Sequence, residues 1–236
     1  MTVDKKTGDL ALGKYASTLI DLPGTYSFYP KRADEWVAYK VLMGVDADVK
    51  TDVILLVADA SNLKRNLLFC SQIIDLKIPV VMALSMTDLA KNKGTEIDIN
   101  GLERELGVPV VSINPRKNKG IPQLKKIVEQ TFNANFTAPR EFIHNASLSE
   151  KPIEEVKVLL PGISDYTALH YLINHKHFKL SPSLQNDIEV VEVANNFNPT
   201  KTQAEEIMQR YGRIKHIMSQ TVVEADPLQK TLFTEK

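Results

Sequence analysis

The stretch Asp52-Val-Ile-Leu-Leu-Val-Ala58 decides the fold. Both of its alternating sets of positions are apolar and partly β-branched. That suits a parallel strand covered on both faces better than a half-exposed antiparallel one. Downstream, Leu63 to Leu76 carries Leu67, Leu68, Ile73 and Ile74 at helical spacing, and Ile78 to Leu84 is a second buried-strand run. Asn100 to Leu106 reads as a short helix closed by Gly107, Val108 to Ile113 as a third strand, and Gly120 to Phe132 as a helix with Ile121, Leu124, Ile127 and Val128 on one face. Upstream, Tyr15 to Ile20 is a short strand ending at Asp21-Leu-Pro-Gly24, and Asp34 to Met43 is a helix with Asp34 as its N-cap. Alternating strands and helices predict right-handed crossovers and a parallel sheet with helices on both faces.

The pattern changes near residue 136. Residues 133–149 have mixed polarity and include Pro139, as in an irregular connection. Beyond them no strongly apolar strand is visible. Ser164 to His175, Pro182 to Phe197 and Thr200 to Val223 read as helices, the last capped by Thr200, with Ala204, Ile207, Met208, Tyr211, Ile214 and Ile217 on one side. The predicted organisation is an α/β domain over 1–135, a linker over 136–150 and a small all-α domain over 151–236.

Bulk properties narrow the function classes. Lys+Arg and Asp+Glu balance at 29 each, which argues against a broad nucleic-acid-binding face or a polybasic membrane anchor. No run approaches the ~20 apolar residues of a membrane helix. Met1 is followed by Thr-Val-Asp-Lys-Lys and not by an apolar segment, so the chain as given is expected to be soluble. The one cysteine, Cys70, lies in an apolar helical stretch and is read as core packing. His175 and His177 fall on different faces of a helix, a poor metal-binding pair.

Three motifs could carry chemistry. A strand ending in Asp21-x-x-Gly24 puts a carboxylate at the carboxyl edge of a sheet, where open α/β folds bind ligands. Such an Asp can hold Mg²⁺ through water, and a glycine lets its backbone N–H approach a γ-phosphate. A plain strand-to-loop turn also uses Pro and Gly, so this motif alone decides nothing. The second motif, Ser85-Met-Thr-Asp88, follows the strand Ile78 to Leu84. It occupies the place of a guanine-reading Asn-x-x-Asp loop, where the Asp88 carboxylate accepts from guanine N1–H and the exocyclic amine. Ser85 departs from that pattern, being shorter than Asn and carrying fewer hydrogen-bonding groups. The third, Asn114-Pro-Arg-Lys117, follows the next strand, where a Ser-Ala-Lys-like loop backs the base; the match is loose. The order of these parts is that of a Ras-like P-loop NTPase G-domain. No G-x-x-x-x-G-K-[ST] occurs in the sequence, and only twenty residues precede Asp21, so the G-domain is expected to be incomplete at its N-terminus.

Asp21-Leu-Pro-Gly-Thr-Tyr-Ser27, Asp34-Glu35 and Val57-Ala-Asp-Ala-Ser-Asn-Leu-Lys-Arg-Asn-Leu67 resemble the bacterial ferrous iron transport protein B (FeoB) family. Gly107-Val-Pro-Val-Val111, Arg116-Lys-Asn-Lys-Gly-Ile121 and Gln203-Ala-Glu-Glu-Ile-Met-Gln-Arg-Tyr211 fit as well. The resemblance implies a cytoplasmic G-domain joined to a helical domain that influences nucleotide affinity. It also implies a membrane-embedded Fe²⁺ permease domain on the same polypeptide, at the bacterial inner membrane. GTP or GDP would be held by Asp21, Leu22, Pro23, Gly24, Ser85, Met86, Thr87, Asp88, Asn114, Pro115 and Arg116, and Mg²⁺ by Thr2 and Asp21. K⁺ and self-association are left open by the resemblance, and no nucleic-acid partner is expected. No residue is an evident general base; Tyr26 and Ser27 follow the Asp-x-x-Gly turn, but neither is a water-positioning glutamine. Two other readings compete: a pseudo-GTPase interaction module that needs no nucleotide, and a ribosome-associated G-protein, which the neutral charge disfavours.

Overall fold

A computed structural model describes residues 5–46 and 48–224. The predicted metal ligand Thr2 lies outside them. In chain order the elements are β1 (Lys6–Leu12), β2 (Tyr15–Asp21), α1 (Ala33–Leu42), β3 (Ile54–Asp59), α2 (Leu63–Asp75), β4 (Val80–Ser85), α3 (Thr87–Asn92), β5 (Thr95–Ile97), α4 (Ile99–Leu106), β6 (Val110–Ser112) and α5 (Ile121–Ala134). They continue with α6 (Glu150–Leu159), α7 (Asp165–Asn174), α8 (Pro182–Ala194), α9 (Pro199–Thr221) and β7 (Val222–Glu224). Short 3₁₀ turns occupy Ala60–Asn62, Pro115–Lys117, Asn145–Leu148 and His175–His177.

The three apolar runs form the expected parallel sheet, in the order β3-β4-β6. One face packs on α2 and on the helices of the second half. The other holds Val81, Ala83, Val111 and Ile113 against Leu124 of α5. Here the structure departs from the expectation of a strand covered on both sides. Leu55 and Val57 of β3 lie opposite Val81 and Ala83 in register, yet Val57 is 63% exposed, because α5 packs over β4 and β6 but leaves β3 bare.

The Asp-x-x-Gly strand also differs from expectation. β2 is not in the parallel sheet; it pairs antiparallel with β1, from Lys6 opposite Asp21 to Leu12 opposite Tyr15. Gly13, at φ +53°, makes the two-residue turn possible. The hairpin rests on α5, where the Tyr15 hydroxyl donates to Asn133 Oδ1 at 2.6 Å and the Tyr15 ring meets Phe132 edge-on.

Several helix ends are set by residues other than those expected. The N-cap of α1 is Arg32, not Asp34, because the Glu35 carboxylate reaches back to the N–H groups of Lys31 and Arg32 at 2.7 and 3.2 Å. That of α9 is Asn198, not Thr200, with Asn198 Oδ1 accepting from Lys201 N–H at 3.0 Å. Helix α9 ends at Thr221, where the chain becomes β7 and pairs antiparallel with β5, a strand in the part expected to be helical only. Helix α6 was not expected either.

Residues 136–149 carry one 3₁₀ turn, and Ala138, Phe142, Ile143 and Leu148 among them are core residues. Cys70 is likewise buried, and burial pushes its thiol up to about 12. The buried stripe of α9 is the expected apolar one only in its second half, at Ile214 and Ile217. Met208 is 73% exposed, whereas Glu206 and Arg210 are wholly buried with Ile214 and Ile217.

Arg210 is the hub of this buried cluster. Its guanidinium pairs with Asp75 of α2 at 2.9 Å and with Glu206 one turn back. It also donates to the Ser71 carbonyl at 2.8 Å and to Asn145 Oδ1 at 3.2 Å. Asp75 in turn accepts from Phe142 N–H and Asn145 Nδ2. Burial opposes the Arg210 charge, the Glu206 and Asp75 carboxylates outweigh it, and the net shift raises its pKa. Burial and then the Arg210 charge hold His170 well below its usual pKa, so it is neutral, and its Nδ1 lies 3.0 Å from the Tyr39 hydroxyl. Removing the guanidinium leaves two carboxylates buried without a cation. Arg210→Leu is therefore expected to destabilise the fold by about 3–5 kcal/mol, read as a fall in the urea midpoint.

Candidate functional site

Strands β3 and β4 end level with one another, Asp59 opposite Ser85. The chain then turns through Met86, an exposed residue in the left-handed region at φ 57°, and starts α3 with Thr87 and Asp88. Strand β6 ends beside them, and its exit carries Asn114 into the 3₁₀ turn Pro115–Lys117. The sheet thus brings two predicted loops together at its carboxyl edge.

Hydrogen bonds lock the pair. Asn114 Nδ2 donates to Asp88 Oδ2 at 2.8 Å, and Leu89 N–H donates to Asp88 Oδ1 at 3.0 Å. Thr87 Oγ1 and Ser112 Oγ lie 3.2 Å apart, a second tie between the loops. Asn114 Oδ1 accepts from Lys117 N–H at 3.2 Å, which leaves the amide nitrogen as the group facing Asp88. Backbone bonds between Asn114 and Lys119 close the turn.

Of the predicted residues, Ser85, Thr87, Asp88 and Asn114 gather here. Pro115 and Arg116 are exposed on the same turn. Lys117, not Arg116, places its ammonium near Asp88, 3.9 Å away. Asp59, Ser112 and Lys117 stand at this edge without having been singled out as nucleotide contacts. Asp59 could have been found from its position at a strand end. Lys117 could not be told from Arg116 without the turn geometry.

Asp21 to Gly24 occupies another place. Asp21 is exposed at the end of β2, and Leu22 and Pro23 turn inward. A Cβ on Gly24 would meet nothing within 4 Å, so packing does not demand a glycine there. The turn that follows is held by its own hydroxyls, with Thr25 Oγ1 donating to the Ser27 carbonyl at 2.8 Å. The Arg65 guanidinium of α2 lies 3.7 Å over the ring of Tyr26. Among the described residues no hydrogen bond joins this turn to the Asp88 loops, and the two belong to different sheets. Nor do three His, Cys, Asp or Glu side chains gather as a metal site there.

A parallel α/β sheet with a paired Asp88 and Asn114 edge, an Asp-x-x-Gly turn before it and a helical part after it is a G-domain with a helical appendage. The chain belongs to the ferrous iron transport protein B family, whose N-terminal family model (FeoB_N) matches residues 1–128. It is 34% identical over 170 residues to the Fe(2+) transporter FeoB of Salmonella typhimurium, a match covering 66% of this chain and 21% of that protein. The chain thus spans about a fifth of the length of that curated relative. In fold it is similar to the cytosolic domain of the T. maritima FeoB iron transporter in a GDP form, with a TM-score of 0.73, 24% identity and coverage of 94% of this chain and 87% of that one. It is also similar to the mGMPPNP-bound NFeoB of S. thermophilus, with a TM-score of 0.67, 28% identity and coverage of 92% and 84%. Among the described residues no helix is long and apolar enough to cross a membrane.

The loop that presents Asn114 depends on Gly120. It sits at φ +77°, and a Cβ there would lie 2.2 Å from the Ser112 carbonyl oxygen, a backbone atom that cannot swing aside. Gly120→Ala is expected to cost about 1–3 kcal/mol and to shift the Asn114 side-chain amide resonances as the Asp88 contact loosens. A thermal melt and a proton–nitrogen spectrum check the two effects.

Proposed function

We propose that the chain is the guanine-nucleotide-binding regulatory part of a bacterial Fe²⁺ transporter, in which GTP hydrolysis gates iron uptake. Family membership supports the class, and the Asn114–Asp88 hydrogen bond at 2.8 Å is the observation of this structure that carries the site. Asp88 reads the guanine N1–H and exocyclic amine. Asn114, Pro115 and Arg116 back the base, with Ser85, Met86 and Thr87 forming the loop that presents Asp88. Asp21 to Gly24 would serve the phosphate end: Asp21, exposed, would hold Mg²⁺ through water, and Gly24 would let the γ-phosphate approach the backbone. Magnesium would neutralise charge on the transferring phosphate. This chain's own residues orient the base and the Asp-x-x-Gly turn. The whole polypeptide would set this part at the cytoplasmic face of the inner membrane, next to an Fe²⁺ permease domain.

The sequence holds no G-x-x-x-x-G-K-[ST], the loop whose backbone N–H groups and lysine grip the phosphates. Each such charge-assisted bond contributes about 1.5–3 kcal/mol, or roughly ten- to hundredfold in affinity. These 236 residues by themselves are therefore expected to bind GTP weakly and to show no hydrolysis. Ser85 in place of Asn favours a second reading, a nucleotide-independent interaction module.

One titration separates the two readings. Millimolar GDP should shift the backbone amide resonances of residues 85–89 and 114–119, ADP should not, and Asp88→Ala should abolish the response. Equal shifts with ADP, or none with GDP, would support the interaction module. Micromolar GTP affinity by calorimetry would instead overturn the weak-binding expectation.

A further inference from the structure

Residues 28 and 29 end the turn after Asp21–Gly24, with Tyr29 N–H donating to Ser27 Oγ at 3.3 Å. They are built into the junction between α2 and the helical part. Phe28 is buried, and its backbone N–H donates to Gln72 Oε1 of α2 at 2.8 Å. The other end of the same amide, Gln72 Nε2, donates to Glu206 Oε1 of α9 at 3.3 Å. Gln72 is itself fully buried. Its orientation is chemically forced: one side faces an N–H and needs the carbonyl, the other faces a carboxylate and needs the amine. Glu206 is the carboxylate that pairs with Arg210. The neighbouring rings follow the same route, with Phe28 at 4.8 Å and Tyr29 at 5.1 Å from the His170 ring of α7.

We propose that Gln72 is a positioning residue that couples the turn after Asp21–Gly24 to helix α9 through the Phe28–Gln72–Glu206 hydrogen-bond chain. With Phe28 seated, the Gln72 amide is pinned between Phe28 and Glu206. If a displaced turn withdraws the Phe28 N–H, the Gln72 carbonyl is left buried without a donor. The amide is then held on the Glu206 side alone, and the orientation that fixes its contact with Glu206 is weakened. Glu206 also holds the Arg210 guanidinium, so the weakening is felt where α9 docks on α2. Arg65, on the outer part of α2, holds Tyr26 of the same turn by stacking, so α2 grips this segment at two points. The functional meaning, that a phosphate-end event reaches the helical part, rests on the nucleotide reading above. The coupling itself does not, and it is tested without nucleotide.

The test is amide hydrogen exchange on the intact chain, followed at Phe28, with Val81 of β4 as the reference for overall opening. Four proteins are compared: the parent chain, Glu206→Gln, Gln72→Leu and the double variant. In the parent background Glu206→Gln should speed exchange at Phe28 by about tenfold relative to Val81, because the carboxylate that pins Gln72 is replaced by a neutral amide. In the Gln72→Leu background the same change should move Phe28 by less than about twofold, since the relay is already gone. A Gln72 that merely filled space would give equal effects in both backgrounds. That result, or no effect of Glu206→Gln in either background, overturns the proposal. If Gln72→Leu does not fold, Gln72→Met keeps the unbranched shape without the amide. If neither folds, an unchanged Phe28 rate in Glu206→Gln overturns the proposal and an increased one supports it.

Discussion

A guanidinium removed from water dictates how the two halves of this protein meet. Arg210 can be buried only if anions and carbonyls surround it, and no single element supplies enough of them. Asp75 and the Ser71 carbonyl come from α2, Glu206 from its own helix, and Asn145 from the irregular segment before α6. Two carboxylates exceed one cation, and the surplus charge is met by donors: Phe142 N–H and Asn145 Nδ2 on Asp75, and Gln72 Nε2 on Glu206. An apolar interface tolerates sliding of one helix along another. This one does not, because a shift of one residue would leave a buried charge unpaired. The register of α9 on α2 is therefore set by hydrogen bonds, with Ile214 and Ile217 adding apolar burial further along.

This explains what was legible in the sequence and what was not. The strands β3, β4 and β6 could be read because buried parallel strands are continuous apolar runs, and α2 because its leucines and isoleucines recur at helical spacing. The facing of α9 could not. Periodicity puts Met208 on the apolar side and leaves Glu206 and Arg210 off it; Met208 is exposed and the charged pair is buried. The cover on β3 was misjudged for a related reason. An apolar strand records what it is able to bury, not what lies over it, and α5 stops short of Leu55 and Val57. Strand β1, Lys-Thr-Gly-Asp-Leu-Ala-Leu, has too little apolar alternation to announce itself and exists through its pairing with β2. Strand β7 is three residues long, below any periodic signal.

In the candidate site, position in the chain order was more informative than residue identity. Asp88 could be singled out because it follows a buried strand by a fixed interval, and the structure sets it at the sheet edge beside Asn114. Which of Arg116 and Lys117 comes near Asp88 is decided by a single 3₁₀ turn, a local geometry that composition does not record. The Asp21 loop kept its sequence context but not its expected sheet. Pairing is a property of neighbouring strands, and among the described residues β2 has only β1 beside it.

The departure at Ser85 takes on a different meaning once Asn114 is placed. An asparagine at 85 would bring an amide to this loop from β4, and a serine hydroxyl cannot span the same distance. Here an amide comes from the opposite loop, and it holds the Asp88 carboxylate in a fixed orientation. A carboxylate has about four lone-pair sites on its two oxygens. Leu89 N–H uses one on Oδ1 and Asn114 Nδ2 one on Oδ2, while Lys117 at 3.9 Å contributes charge rather than a hydrogen bond. One site on each oxygen is left, which matches the two parallel donors on the guanine edge. Asp88 is thus oriented by the protein without being saturated by it. The atypical Ser85 loop thus holds a fixed carboxylate with an open acceptor position on each oxygen, which suits the proposed reading of guanine.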